Sequence, residues 1–306
     1  MRRSFKLIGT LLSLFSLASC QDLGAKISTE DGEAKYQDII DFRRLNSPKS
    51  YTVKTERYLY SYDITDDEYL SESDGERFGA VNLDKLYYFV RSKLKTTYKV
   101  GGKSEETNYF TENWIYYKDG YLYNVVNNQS KDFDEKQDRK TFVKYAIEKE
   151  NALAVILEEN DISLVEYPDD SKDFRTKLVS GNTIPVIVEK LTYKSTYDFY
   201  SKGGDGNLSL VVKDSYLGKK DAFEKEEADK LKISDFSYKQ NINLTFEKYH
   251  YTSFSGVVNV LMKDENNKEL TKVKQNVKEK VTKGCAISYP KLDEYKEVTV
   301  QQSLPF

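Results

Sequence analysis

Cysteine, histidine, tryptophan and methionine are all scarce in this 306-residue chain, which has two, one, one and two of them, and proline occurs only five times. Each shortage removes a class of chemistry. A single histidine, His250, excludes a His-rich zinc site and leaves a Ser-His-Asp triad only that residue to use. No Gly-x-Ser-x-Gly elbow precedes it, so it reads as an exposed or strand-end histidine. No Gly-rich phosphate loop or dinucleotide fingerprint occurs, and no cofactor is implied. Nothing repeats at a fixed period, which argues against a solenoid. Alternating βαβ units are missing, which argues against a transporter-type solute receptor. Neither sign of charge dominates: 47 basic residues stand against 50 acidic ones, for a net charge of -3. Nucleic acid and anionic membrane faces are therefore poor partners for the chain as a whole.

Residues that imitate known motifs do not complete them. Ser92-Lys93-Leu94-Lys95 has the letters of the Ser-x-x-Lys of penicillin-binding enzymes. It sits inside a β pattern rather than at a helix start, with no Ser-Asp-Asn or Lys-Thr-Gly after it. Asp63, Asp66, Asp67, Glu68, Glu72, Asp74 and Glu76 form one acidic cluster, and Asp132, Asp134 and Asp138 another. Neither has the Asp-x-Asp-x-Asp-Gly spacing with a twelfth-position Glu that calcium loops use, so both read as solvated loops and no metal is expected. No enzyme is expected either; a hydrolase would need a carboxylate pair that spacing does not reveal.

Hydrophobic runs are short. The longest, Leu7 to Leu17, is interrupted by Gly9, Thr10, Ser13 and Ser16. It is about half the roughly 20 residues a membrane span requires. Arg2, Arg3 and Lys6 precede it and Leu17-Ala18-Ser19-Cys20 follows. A basic start, a short apolar core and small residues before a cut make a secretory signal. With Cys in its last position the segment resembles the lipobox of bacterial lipoproteins. That resemblance implies a diacylglyceryl thioether on Cys20, cleavage before it, and a membrane-tethered protein on the extracytoplasmic side. Two acyl chains anchor stably where one binds only marginally. Loss of the three basic residues would leave 44 against 50 and a net charge of -6. Lipidation would also consume Cys20, so Cys285 has no disulfide partner and reads as a small buried hydrophobe.

Beyond Cys20 the expected organisation is a signal at 1–19, a lipidated flexible tether at 20–33, and one domain at 34–306. A helix is expected over Ala34 to Leu45, with Tyr36, Ile39, Ile40 and Arg43 on one face and Asn46-Ser47-Pro48 as its stop. A second is expected between Asp138 and Asn160, where Phe142, Ala146, Leu153, Ile156 and Leu157 recur at helical spacing. The remainder alternates with period two. Leu86, Tyr88, Val90, Ser92, Leu94, Thr96, Tyr98 and Val100 share one parity, and so do Phe236, Tyr238, Gln240, Ile242, Leu244 and Phe246. A strand over Leu191 to Phe199 also alternates, and Gly203 to Gly206 turns it into Leu208, Leu210 and Val212. Asp119-Gly120 between two tyrosine-rich runs predicts a hairpin that sets Trp114 opposite Val125 and Tyr116 opposite Tyr123. Val273, Val277 and Val281 fit helix or strand, and the lysines of opposite parity between them decide for strand. About eleven antiparallel strands and two helices make a mainly β, curved half-barrel.

This element order resembles the LolA-like half-barrel lipoproteins, in which a curved sheet wraps helices and some members hold acyl chains. The resemblance implies a non-enzymatic protein binding a lipophilic or amphipathic ligand. The aliphatic members of the two longest strands, Leu86, Val90, Leu94, Ile242, Leu244 and Phe246, are the expected lining. Ser92, Thr96, Ser195, Gln240, Gln275 and Glu279 share those inward faces and count against an acyl pocket, because an unpaired buried polar group costs about 1–3 kcal/mol. The competing expectation is a surface interaction protein that uses its 25 tyrosines, Tyr121 and Tyr123 among them, against a protein or glycan.

Overall fold

The structure is a computed structural model, and it describes residues 23–45, 49–63, 69–129, 139–159, 195–218 and 232–299. Cys20 lies outside them, as do the loop acids Asp66, Asp67, Glu68, Asp132, Asp134 and Asp138 and the first part of the expected strand at Leu191. Among the described residues no helix is long and apolar enough to cross a membrane.

Among the described residues a single curved, unclosed sheet of thirteen strands carries two helices. The elements are β1 (Ala25–Ile27), α1 (Thr29–Leu45), β2 (Ser50–Asp63), β3 (Tyr69–Asn82), β4 (Tyr87–Val100), β5 (Lys103–Lys118), β6 (Tyr121–Asn128), β7 (Lys140–Ala146), α2 (Lys149–Glu159), β8 (Ser195–Ser201), β9 (Leu208–Gly218), β10 (Ile233–Glu247), β11 (His250–Asp264), β12 (Glu269–Lys283) and β13 (Lys296–Glu297). Their spatial order is β1-β8-β9-β10-β11-β12-β2-β3-β4-β5-β6-β7-β13. All pairs are antiparallel except β13 with β7. Among the strands the sequence did not announce are the edge strands β1 and β13, of three and two residues, too short for a period to register.

The Asp119-Gly120 hairpin forms as the sequence predicts. Both residues have positive φ, 52° and 83°, and Trp114 pairs with Val125 and Tyr116 with Tyr123. The segment with valines four apart is β12, a strand. Two helix boundaries differ from expectation. α1 starts at Thr29 because Ser28 caps it: the Asp31 amide donates to Ser28 Oγ (3.0 Å), and Ser28 Oγ donates to the Asp31 carboxylate (2.7 Å). With β1 paired to β8 over Ala25–Ile27, most of the stretch expected to be a flexible tether is ordered. The second helical stretch splits. Thr141, Phe142, Val143 and Tyr145, β-branched or aromatic, extend as β7 against β6, and only the Ala- and Leu-rich half coils into α2.

Strand registers place both helices on one face of the sheet. α1 contributes Tyr36 and Ile39 to a core with Phe199, Leu208, Leu210, Ile242, Leu244, Phe246, Phe254 and Val277. α2 contributes Ala152 and Ile156 to a second core with Val81, Leu86, Tyr88, Ile115 and Leu122. A third core lies on the opposite face. There the chain after β12 crosses Ala80, Tyr87, Tyr116, Val125 and Phe142, laying down Cys285, Ile287, Leu292 and Tyr295. The Tyr87 hydroxyl donates to the Ser288 carbonyl (2.9 Å), the Cys285 thiol donates to the Val81 carbonyl (3.1 Å), and the Val298 amide donates to Phe142 (2.9 Å).

Candidate functional site

The six residues expected to line a cavity share the helix-bearing face but do not line one space. Ile242, Leu244 and Phe246 are packed beneath α1, and Leu86 and Val90 beside α2. Leu86 is not in a strand: it has φ 47° in the turn before β4. Leu94 lies between the two cores and is 40% exposed; the neighbouring charged residues Glu56, Asp74, Glu76, Lys93 and Lys95 belong to the opposite face by register and border a shallow trough of about 620 Å³. Charges of both signs line that trough. One cross-strand row runs Lys278, Glu56, Glu76 and Lys93, two acids flanked by two bases, with no net charge.

Three polar members of the helix-bearing face, Thr96, Gln240 and Glu279, are buried and bonded. Thr96 meets Ser73 at 3.0 Å, and the Tyr238 hydroxyl donates to Gln240 Oε1 (2.6 Å). Glu279 is 4% exposed; one carboxylate oxygen accepts from the Tyr251 hydroxyl (2.9 Å) and the other from Thr55 (3.2 Å). Satisfied in this way, these groups cost little to bury.

The recess with the chemistry of a binding site lies at one end of the sheet, where the β8–β9 and β10–β11 turns meet the end of β12 and the start of β2. Its volume is about 650 Å³, within the usual range of small-molecule sites. Tyr51, Tyr251 and Val281 supply partly exposed apolar and aromatic surface over the buried Leu208 and Phe246, and Lys202, Lys248, Lys283, Glu247 and His250 the charged or titratable groups. Of the expected lining only Phe246 is here.

The turn that carries Lys248 is strained. Lys248 and Tyr249 are the two central residues of the β10–β11 hairpin and both have positive φ, 48° and 66°. Such turns favour Asn-Gly, and a non-glycine residue in this region costs on the order of 1–3 kcal/mol. The β8–β9 turn holds it in place. The Tyr249 amide donates to the Gly206 carbonyl (2.9 Å), the Lys248 amide donates to Asn207 Oδ1 (2.9 Å), and Phe42 of α1 stacks on the Tyr249 ring at 4.4 Å. Gly206, itself at φ 65°, touches Tyr249 so closely that a Cβ there would collide with its amide nitrogen and ring.

The tyrosine-rich alternative maps to the other face. Tyr123 stacks on Tyr116 at 4.9 Å, and Tyr289 of the crossing segment packs edge-on against Tyr116 and Tyr87. Burial pushes the Tyr116 hydroxyl up to about 12, with neighbouring Tyr123 and Tyr289 adding to it. Tyr123 is thus part of a covered core, and Tyr121 is the exposed one of the pair. Among the described residues no three His, Cys, Asp or Glu side chains are grouped to hold a metal ion.

Sequence periodicity could not find Lys202, Lys248 or Lys283, which lie in turns or at a strand end, where alternation carries no information. One signal was present: a two-residue hairpin, Lys248-Tyr249, without a turn-forming residue.

No protein-family model matches this chain, and no curated protein matches it. Lipovitellin, in a structure described for its lipid–protein interactions, superimposes with a TM-score of 0.32 at 9% identity, over 80% of this chain and 26% of that one. An outer membrane channel from Pseudomonas putida F1 gives 0.21 at 7% identity, over 78% and 97%. The chain spans about a quarter of the lipovitellin chain, and at these scores neither likeness bears on what this protein does.

Proposed function

We propose that this protein is a non-enzymatic lipoprotein of the LolA-like half-barrel kind. In this reading it is held on the extracytoplasmic side of a membrane through Cys20 and binds an amphipathic ligand in its terminal recess. The observation that carries the binding part is the recess itself: about 650 Å³ with Phe246, Tyr251, Tyr51, Leu208 and Val281 on its walls and charged groups at its edge. That combination suits a molecule with one apolar and one polar end. The anchoring part rests on the lipobox letters Leu17-Ala18-Ser19-Cys20.

Cells expressing the full chain are labelled with a radioactive fatty acid, and the purified protein is examined by native mass spectrometry. The wild type carries label and Cys20→Ser does not, and an amphiphile is retained or taken up in a one-to-one complex. Membrane attachment and processing unchanged in Cys20→Ser would remove the anchor. A folded protein that takes up neither a fluorescent fatty acid nor a neutral amphiphile would remove the binding function.

A further inference from the structure

We infer that the side of β10, β11 and β12 turned away from the helices is a docking surface for a linear acidic polysaccharide. The chain runs along β12, with its carboxylates or sulfates on Lys274, Lys278 and Lys280 and its hydroxyls on the asparagines and serines of β10 and β11. The inference goes beyond the amphiphile reading and depends neither on it nor on the recess.

The surface follows from strand register. Alternate residues of a strand face the same side of a sheet. In β10 the positions from Phe236 to Phe246 that face the helices are buried, so Ser237, Lys239, Asn241, Asn243 and Thr245 take the other side. From the row Thr245–Ser253–Lys280 to the row Ser237–Leu261–Lys272, the three strands present fifteen positions there. Five are lysines, eight are asparagine, serine or threonine, and none is acidic. Acids make up 50 of the 306 residues of this chain, so an area of that size without one departs from its ordinary composition.

Positive charge is in excess on it. Lys239, Lys274, Lys278 and Lys280 are exposed, and among the described residues none of them is in an ion pair. Lys272 is met by Glu269 at 3.5 Å. Across the boundary with β2, Lys274 and Lys280 stand opposite Tyr60 and Lys54, and Lys278 opposite Glu56. Glu56 is already paired with Lys54 at 2.8 Å, which is the main cause holding its carboxyl below the ordinary carboxylate range. Lys54, Lys278 and Lys280 thus share one carboxylate. Lysines two apart on a strand stand about 7 Å from each other, and Lys272 to Lys280 covers about 27 Å, so the charges form a line rather than a spot.

The surroundings decide which polyanion fits that line. On the far side of β2, β3 sets Glu72, Asp74 and Glu76 in a row parallel to the lysines, and their charge keeps an anionic chain on the β10–β12 side. A single-stranded nucleic acid needs aromatic rings beside its phosphate track. The fifteen positions hold none, and the neighbouring rings, Tyr58, Tyr60 and Tyr62, lie next to the acidic row. A protein interface is centred on apolar anchors and is poor in lysine. Here Val257, 40% exposed, is the one large apolar side chain that stands open among the fifteen. A polysaccharide presents hydroxyls that both donate and accept, which Asn241, Asn259 and Ser255 can answer in kind, and C–H faces that Val257 can meet.

The test titrates the purified full chain by calorimetry at low salt with polygalacturonate, dextran sulfate and uncharged dextran. Oligo(dT) and phosphatidylglycerol vesicles are the comparison polyanions. Both acidic polysaccharides bind, dextran does not, and both affinities fall as salt is raised. Lys274→Gln, Lys278→Gln and Lys280→Gln together weaken both at least about tenfold with the thermal midpoint unchanged. Lys93→Gln, Lys95→Gln and Lys99→Gln remove as many charges from the same side of the sheet, on β4. That strand runs between the acids of β3 and Glu106 and Glu112 of β5, so this variant changes affinity by less than about twofold. Failure of both acidic polysaccharides to bind, or equal loss in the two triple variants, would overturn the inference. So would equal or tighter binding of oligo(dT) or of the vesicles that the β12 variant abolishes, which would give the surface to a nucleic acid or an anionic membrane instead.

Discussion

Replacing Gly206 with alanine tests the contact on which the recess depends. Two penalties apply. Gly206 sits at φ 65°, where an L-residue with a Cβ loses roughly 1–2 kcal/mol. Its new Cβ would also collide with the Tyr249 amide nitrogen and ring, so the two turns must separate. Separation breaks the bonds from the Tyr249 amide to Gly206 and from the Lys248 amide to Asn207, each contributing about 1 kcal/mol net, and loosens the Phe42–Tyr249 stack, worth about 0.5–1.5 kcal/mol. The total is about 4–5 kcal/mol, a large part of an ordinary domain's stability. Gly203 is the internal control. Its φ is 82°, yet nothing lies within 4 Å of a Cβ built there, so alanine costs only the backbone share of roughly 1–2 kcal/mol. Urea unfolding of both variants, followed by far-ultraviolet circular dichroism and Trp114 emission, gives the difference. A gap of about 2–3 kcal/mol is expected at unchanged denaturant slope. If Gly206→Ala costs no more than Gly203→Ala, the clamp between the two turns does not exist as described.

Three further outcomes follow from the same geometry. Gly120→Val lowers stability by about 1–3 kcal/mol, because φ 83° is closed to a β-branched residue, and an unchanged melting midpoint would contradict the turn. Leu94→Asp leaves the fold intact, at less than about 1 kcal/mol, since Leu94 is 40% exposed, whereas Leu244→Asp, in the α1 core, costs about 4 kcal/mol or more; denaturation midpoints of the pair decide it. Burial raises the Tyr116 hydroxyl to about 12, and burial followed by its bond to Glu72 does the same for Tyr58. Unfolded tyrosines ionise near pH 10, so the folded state keeps these two protons longer; their contribution to stability is whole below about pH 10 and disappears as pH rises through about 12. Tyrosinate absorbance should show a late-titrating fraction, and uniform titration near pH 10 would refute it.

The sheet was legible because period two is a direct readout of pleated geometry. Leu244, Phe254 and Val277 fall on the same face as Tyr88 and Val90 across six strands, as alternation alone required. The Asp119-Gly120 register was legible for a similar reason, since one turn type fixes every pair behind it. Boundaries were less so. Ser28-x-x-Asp31 marked the start of α1, but the polar composition around it suggested a tether. Phe142 and Ala146 stood four apart and suggested a helix, while Thr141, Val143 and Tyr145 beside them belonged to a strand. The site was the least legible part. Its residues come from positions 51, 202, 248 and 283, which only the strand order brings together, and each lies where a strand begins or ends.

The division of the helix-bearing face explains why a ligand site belongs at the end of this sheet rather than along it. α1 and α2 fill its two flanks with apolar contacts, so Ile242, Leu244, Leu86 and Val90 are already covered by the chain itself. Between the flanks the face is polar: Thr55, Ser73, Thr96 and Glu279 bond to one another or to tyrosines, and a tail laid there would have to break those bonds and leave the groups unpaired. Beyond the polar band, where β10 and β11 turn over the β8–β9 loop, partly exposed aromatic surface and lysine side chains occur together. A tail can lie there without displacing a buried hydrogen bond, and its head group remains beside the solvent. An open sheet that has filled its own middle thus keeps one end for another molecule, and it is the end from which the chain runs back to Cys20.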